Sequence, residues 1–444
     1  RTWIQAASSR PAFAVAPLSL SMALLLLACL CLGTIVAATV VETKDLDLVL
    51  YGATGCVGGF AAQWLAKQKG LRWAIAGRNA SEIHTLGSKL CSAPDTLSCP
   101  EQIVAPLDMR HDPARWVQRT HAVVTTAGPF SIHGGKLLVE ACSRLGVHYV
   151  DTSDEFYWQR EMIDSYDAAA RRSGAHIVLS GGFCALAGDL GAQLVLAEAG
   201  TSATLGAEAR VDAWLETYNG GVSAGVINTG KTMRNASFPK EWNTDPYVLA
   251  PQALPELKVD TSVTGVGKLG WDRHEGIVTQ NIFGPYDARL LRRTFTTLGQ
   301  TVHFRAGSPP SMYAKWTAFL AAHPGSWSTL TKCPTQTILE NGAWQMRVRA
   351  ESKSSASSGA ALVLSGSGDP GYHFTAAGVA EVGLCLAGHT KGCLRASAPG
   401  GVAPPMTALD PRAMRERLEA VGLLRVSTGS EAGSVPTSPA SLIV

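Results

Sequence analysis

The sequence predicts an α/β protein built on a doubly wound parallel sheet, and three observations predict it. Strand-like and helix-like segments alternate from Lys44 to Gly182, the strands are short and almost wholly apolar, and the first of them runs into a glycine loop that opens a helix. Alternation sustained over about 140 residues requires crossover helices on both faces of a parallel sheet, and strands covered on both faces lose the polar alternation of half-exposed ones. Right-handed crossovers then give the doubly wound order.

The elements follow in sequence. LDLVLY (46–51) is the first strand. In VGGFAAQWLAKQKG (57–70), Val57, Ala61, Trp64, Leu65 and Gln68 fall at helical spacing, and Gly70 closes the helix. LRWAIAG (71–77) is the second strand, and SEIHTLGSKL a short helix capped by Asn79 or Ser81. QIVAP (102–106) is the third strand. Asp112 and Pro113 then open a short helix as N-cap and first helical residue. HAVVTTAG (121–128), VHYVD (147–151) and HIVLSGG (176–182) are the next strands, separated by helices over GKLLVEACSRLG (135–146) and FYWQREMIDSYDAAARRSG (156–174). After Asp189 the rhythm changes. AGDLGAQLVLAEA (187–199) is a further helix, and ARVDAWLETY and RRTFTTLGQTVHFRA are β-like runs among Gly/Pro/Asn-rich stretches. AWQMRVRAE (343–351) and GAALVLS (359–365) read as a hairpin around SKSSASSG. TAAGVAEVGLCLAGH (375–389) and DPRAMRERLEAVGL (410–423) are helices, the latter capped by Asp410 with Pro411 behind it, and the Ser/Gly/Pro-rich tail is expected to be disordered.

Composition narrows the function. Of 444 residues, 46% are hydrophobic and 16% charged, which suits packed domains, and a net charge of +3 with no basic run argues against nucleic acid as a partner. The ten cysteines form no CxxC pair and no zinc-spaced cluster, so no metal site is expected. They read as thiols in a reducing compartment. Cys91/Cys99 and Cys385/Cys393 share one spacing in loop-like sequence, and a disulfide at either is the alternative, which requires an oxidising compartment. Pro11 to Val41 carry no charge, with Arg1 and Arg10 before them and Glu42 after. This suits a membrane anchor, or a targeting segment cleaved near Val36-Ala37-Ala38. The expected location is membrane-associated, with an organelle-targeted soluble protein as the alternative.

The chemistry starts at Gly52-Ala53-Thr54-Gly55-Cys56-Val57-Gly58, a GxxGxxG loop between strand and helix. In that context the first glycine permits a tight turn, the second lets amides approach a diphosphate and the third lets helix and strand pack, which is the Rossmann arrangement for a dinucleotide. The second strand ends in Ala76-Gly77-Arg78-Asn79, with Arg78 twenty residues after Gly58, where an NAD enzyme carries an acid for the ribose hydroxyl. A guanidinium suits a 2′-phosphate instead, so NADP(H) is the expected cofactor. Asp108 follows the third strand, in reach of an adenine, and Ala127-Gly128-Pro129-Phe130 ends the fourth, where it would line the nicotinamide-ribose pocket. A solvated loop acid and an ordinary turn are the plainer alternatives for these two.

Taken in order, YGATGCVGG, IAGRN, TTAGPFSIHGGKLLVEACSRLGVHYVDTSDE, GDPGYHFTA and GGVAPPM resemble the saccharopine dehydrogenase-like oxidoreductases, most of all the branch that includes trans-acting enoyl reductases. The resemblance spans about residues 45–425 and is weakest between 205 and 330. It implies an α/β chain with a second α+β domain containing a mixed sheet, a nicotinamide-dependent reductase or dehydrogenase, and a hydrophobic, lipid-like substrate. A membrane or lipid-droplet surface and a homodimer are the other expected partners. The domains are expected at 1–43 (anchor or targeting), 44–190 (dinucleotide), 191–425 (substrate or dimerisation, its last helices packing back) and 426–444 (tail). Where relatives read Gly-Phe-Asp-Ser-Ile-Pro-Ser-Asp-Leu-Gly, this chain reads Gly182-Phe183-Cys184-Ala185-Leu186-Ala187-Gly188-Asp189-Leu190-Gly191 and keeps only the second acid. A nucleotide-binding scaffold without turnover and an amino-acid dehydrogenase are therefore the competing functions.

Hydride transfer needs orientation and one proton donor. Tyr149, Asp151, Asp154 and Glu155 follow the fifth strand, and the resemblance singles out Asp151 and Glu155. His133 is another candidate. Capping of the next helix by Ser153 or Asp154, with Glu155 in its first turn, is the alternative use of the acids.

Overall fold

A computed structural model of the chain describes residues 44–108, 110–200, 209–221, 224–250, 269–279, 281, 283–312, 314, 333–352 and 359–428. The apolar N-terminal stretch, the hairpin loop around 353–358 and the tail from 429 lie outside the described residues. Among the described residues no helix is long and apolar enough to cross a membrane.

The first half alternates as its sequence requires: β1 (Leu46–Tyr51), α1 (Cys56–Ala66), β2 (Trp73–Gly77), α2 (Ala80–Ser92), β3 (Glu101–Val104), α3 (Ala114–Val117), β4 (Thr120–Thr125), α4 (Gly135–Leu145), β5 (His148–Asp151), α5 (Phe156–Ser173), β6 (His176–Val178) and α6 (Phe183–Glu198). The second half holds β7 (Ala209–Asn219), α7 (Ala224–Asn235), α8 (Lys240–Thr244), β8 (Leu269–Asp272), β9 (Gly276–Thr279), α9 (Gly284–Thr297), β10 (Val302–Gly307), α10 (Gln336–Asn341), β11 (Ala343–Ser352) and β12 (Gly359–Ser367). A π-helical turn (Pro370–Phe374) then leads into α11 (Thr375–Leu386), β13 (Gly401–Ala403), α12 (Pro405–Ala408), α13 (Pro411–Ala420) and β14 (Arg425–Thr428).

One sheet is parallel and seven-stranded, in the order β13-β6-β5-β4-β1-β2-β3. The reversal of direction between β1 and β4 makes the doubly wound switch point, at which ligands bind in this architecture. Its central strands are apolar because both faces are covered: Leu48, Val49, Leu50, Val123 and Val124 are fully buried. The second sheet runs β10-β7-β11-β12-β14, with β10–β7 parallel and the other pairs antiparallel, so it is mixed as expected.

The structure corrects four boundaries. The domain limit at 190/191 cuts through α6, a single helix whose Leu186, Leu190 and Val195 are buried and which packs on β7, β11 and β12. The helix expected over 187–199 starts earlier, at Phe183, so the departing stretch Gly182–Gly191 is its N-cap and first half. RRTFTT is helical rather than β-like: it closes α9, whose Ala288, Leu291 and Phe295 fall at helical spacing and are buried. Its arginines are buried too, because each finds backbone oxygen: Arg289 at Asn243 (2.6 Å), Arg292 at Phe304 (3.1 Å) and Arg293 at Val402 (2.9 Å). The fourth correction is at the tail, since residues 426–428 belong to β14, which pairs with β12.

The C-terminal return goes deeper than helices alone. Strand β13 adds to the edge of the dinucleotide sheet beside β6, and α11 packs against α1, β4 and β5. Fully buried Glu381 on α11 accepts Arg417 Nε (2.6 Å) from α13 and Trp64 Nε1 (2.8 Å) from α1. A buried acid is tolerated only when paired in this way, and removing one partner from such a group costs about 3–5 kcal/mol.

The cysteines overturn the expectation of free thiols. Three disulfides form: Cys91–Cys99 and Cys385–Cys393, the two equal spacings, and Cys56–Cys333. The last has no signature in the sequence, since its partners lie 277 positions apart. Among the described residues Cys142 is a buried free thiol.

At the opposite edge from the glycine loop, His148 and His176 stack at 5.1 Å, and His148 Nδ1 accepts the His176 amide (3.1 Å). Burial, reinforced by the His176 ring, pushes His148 down to about 4 from 6.5. The unfolded chain therefore takes up the proton first. The contribution of neutral His148 is complete above pH 6.5 and is lost as pH falls toward 4. Chemical unfolding at pH 7.5 and pH 5 is expected to show His148→Asn losing about 1–2 kcal/mol less than the parent chain between the two pH values. Equal losses would mean that the ring titrates normally.

Candidate functional site

The glycine loop is built as a cradle. Gly52 adopts φ +82°, and a Cβ there would meet the Ala127 amide at 2.9 Å. A Cβ on Gly58 would run into the Gly52 carbonyl and stand 2.7 Å from Thr126 Oγ1. Only glycine lets the β1–α1 turn, the start of α1 and the end of β4 come this close. Gly55 is the N-cap of α1 and no side chain caps the helix, so the positive end of its dipole is left for a ligand.

Around this cradle the predicted residues separate into those that face it and those used elsewhere. Ala53 is buried in the core and Thr54 is exposed, whereas Gly55, Cys56 and Val57 line a cavity that opens from the loop. Gly128 and Phe130 line the same cavity, and the Gly128–Pro129 bond between β4 and α4 is cis. Arg78 is exposed at the end of β2, has no ion-pair partner among the described residues, and its charge reaches Tyr51 and His133. Asn79 is spent on structure: its Oδ1 accepts Ser81 N (3.1 Å) and Glu82 N (3.3 Å) and caps α2. Asp108 is likewise turned to its own loop, where His111 (2.8 Å) and the Arg110 amide (2.8 Å) hold its carboxyl down at about 2.

The three acids at the end of β5 and just beyond it have three different fates. Asp151 is fully buried. It accepts Ser153 N (2.9 Å), Ser153 Oγ (2.8 Å), Ser180 N (2.8 Å) and Tyr149 Oη (3.0 Å), and burial still raises its carboxyl to about 6. Glu155 is also fully buried, and it stands at the N-cap position of α5, ahead of the first turn in which it was expected, with its side chain turned away from the helix. It accepts Phe130 N (2.5 Å), Ser131 N (3.3 Å), Ser131 Oγ and Tyr157 Oη (3.1 Å), so it nails the Gly128–Phe130 turn to the edge of β5. No side chain caps α5. Neither Asp151 nor Glu155 reaches the cavity, which corrects the expectation that they face a substrate. His133, exposed beyond the turn, does not line it either.

Asp154 does line it. The cavity measures about 570 Å³, and Asp154 is the one charged side chain among its described lining residues. The carboxyl opens into the cavity but has protein packed around it. That enclosure raises it to about 7, and the charges of Glu155 and Asp151 push the same way. Most of the rest of the wall is apolar and aromatic, with Phe130, Phe183 and Ala185 from the first half, Val226 and Met233 from one face of α7, and Tyr218, Phe283 and Tyr372 from the second half, while uncharged polar residues such as Thr126, Thr152 and Thr229 make up the remainder. Tyr286 on α9 closes it. Its hydroxyl donates to the Ser153 carbonyl and meets Ser180 Oγ (2.8 Å) and Gln159 Nε2 (2.9 Å), while Ser180 is held at φ +66°, a region rare for a residue with a side chain. This knot fixes the 152–154 loop. Sequence reasoning missed it, along with Tyr218 and Tyr372, because single aromatic residues in weakly patterned segments carry no local signal.

The family model described as "Saccharopine dehydrogenase NADP binding domain" matches residues 48–178. That span is a saccharopine dehydrogenase NADP-binding domain. The domain's cofactor is NADP(H), and the cradle fits it: two glycines that no other residue replaces, an uncapped helix start and an arginine just after β2 with no ion-pair partner among the described residues. The chain is also similar to the trans-acting enoyl reductase of Mycobacterium bovis, 32% identical over 263 residues, and to that of Mycobacterium ulcerans, 30% over 261. Each match covers 56% of this chain and 61% of the relative, so the shared region is less than two thirds of those proteins. Apo saccharopine dehydrogenase (L-Glu forming) of Saccharomyces cerevisiae aligns over 86% of this chain and 99% of its own, with 12% identity and a TM-score of 0.41.

The buried Glu155 generates a test. Glu155→Gln replaces an oxygen that accepts the Phe130 and Ser131 donors by a group that must donate. Unfolding measurements should show a loss of about 1–3 kcal/mol. An unchanged unfolding free energy would mean that the Phe130 turn is held by other contacts.

Proposed function

We propose that the chain is an NADPH-dependent reductase acting on an uncharged, apolar enoyl or carbonyl compound of lipid-like character. The observation that carries this reading is the cavity itself, which joins the glycine loop to an aromatic chamber holding one carboxyl and, among the described lining residues, no cation. A dicarboxylate or amino-acid substrate needs arginine or lysine to replace its hydration, and burying such a charge unpaired costs several kcal/mol. An acyl or isoprenoid-like chain needs only apolar wall. The names of the two mycobacterial relatives point the same way.

NADPH, when bound, supplies hydride. The chain's part is to hold, orient and protonate. The first-turn amides of α1 take the diphosphate and Arg78 the 2′-phosphate, in a bidentate pairing that a carboxylate at this position would repel. Glu155 keeps the Gly128–Phe130 turn in place beside the reacting end. Asp154 carries a proton near neutral pH and delivers it to the reduced substrate, since an acid works best when its pKa lies close to the working pH. Asp151 and the Tyr286–Ser180–Gln159 knot position the loop that bears it.

Two measurements test this. Arg78→Ala should weaken NADPH by about 1–3 kcal/mol, the worth of a charge-assisted contact, and leave NADH nearly unchanged; equal loss for both would remove Arg78 from the phosphate site. Asp154→Asn should lower kcat by about a hundredfold, the usual scale of general acid catalysis, without changing the NADPH dissociation constant. Because the protonated acid is the active form, kcat of the parent enzyme should fall as pH rises through about 7. A flat profile, or an Asp154→Asn variant with full activity, would assign the proton to another donor.

A further inference from the structure

The disulfide Cys56–Cys333 stands apart from the other two. Those each join residues eight positions apart, whereas this one ties the glycine loop to the second half of the chain. Cys56 is the first residue of α1 and lines the cavity. Cys333 is exposed, and the segment after it is anchored away from the dinucleotide sheet: Pro334 lies against Gly221, and the Leu339 carbonyl accepts Asp369 N (2.8 Å). The bond is therefore a staple at the cofactor cradle, with one of its two cysteines at an exposed position.

We propose that Cys56–Cys333 is a dithiol-exchange site that gates the dinucleotide cradle, a proposal that rests on the NADP(H) site described above. An external dithiol is the co-reactant. Its thiolate attacks exposed Cys333 Sγ, the Cys56–Cys333 bond breaks and Cys56 leaves as the thiolate. Leaving is favoured at Cys56, because the amino end of a helix stabilises a thiolate and a stabilised thiolate departs faster. The second thiol of the reagent then attacks the mixed disulfide and releases Cys333. The reagent ends as a cyclic disulfide, and the protein has gained two electrons and two protons. Reduction loosens the cradle in two ways that act together. The second-half segment is no longer stapled to the loop, and a Cys56 thiolate competes with the diphosphate for the same positive helix end.

The test uses the full chain and NADPH. Release of NADPH into excess NADP⁺, followed by nicotinamide fluorescence, should be about fivefold or more faster after treatment with dithiothreitol than before it, since changes of this kind fall mainly on the dissociation rate. Cys333→Ser, at an exposed position, should show the fast rate with or without dithiothreitol. Cys91→Ser and Cys385→Ser should keep the response, which excludes the other disulfides as its source. Peptide mapping without reductant should recover Cys56 linked to Cys333. Equal release rates from oxidised and reduced protein that both bind NADPH would overturn the gate alone, as would free Cys56 and Cys333 in the unreduced protein. Failure of both forms to bind NADPH would overturn the cofactor site and the gate with it.

Discussion

A carboxylate removed from water must collect hydrogen-bond donors or keep its proton, and that constraint organises the working edge of this protein. In the five residues that start with the last one of β5 the chain carries three acids. Two of them gather backbone amides and hydroxyls, and in doing so they fix the turns on either side of the cavity: Asp151 the Ser153 and Ser180 backbone, Glu155 the Phe130 turn. Asp154 gathers few donors, sits beside two other acids and is exposed toward the cavity, so the protein packed around it and the neighbouring charges raise it where donors would have lowered it. The same physics that makes two acids scaffolding leaves the third able to hold a proton at neutral pH.

The dinucleotide half was legible because its signals are local. Glycines at 52 and 58 are forced by contacts that a Cβ would block, and the apolar runs of β1 and β4 are forced by burial on both faces. Arg78 could be read from its spacing alone. The acids after β5 were legible as a group but not individually. Which of them faces the cavity depends on where the Phe130 turn and the 180 region come to rest, and both are set by contacts far away in sequence. The helical fate of RRTFTT was hidden for a related reason: its arginines look solvent-bound until backbone carbonyls from β10 and β13 are brought to them. Tyr286 and the Cys56–Cys333 link belong to the same class, being decided by tertiary juxtaposition that no window of sequence contains.

Neither half owns the cavity. The loop at Gly55–Val57 and the aromatic residues from β7, α9 and the π-helical turn share one space, and α6 follows β6 and packs on the second sheet. Substrate choice can therefore drift through the second half, where Tyr218, Met233 and Phe283 stand, while the loop that takes the dinucleotide stays as it is.

Strand β13 carries a consequence for how the protein is made. The parallel sheet receives its edge strand only when residues 401–403 have left the ribosome, long after the glycine loop has emerged. Until then β6 presents bare amides and carbonyls to any passing strand, and the face that α11 will cover stays greasy and open. A fragment trimmed to the dinucleotide-binding half therefore keeps that edge and that face uncovered for good.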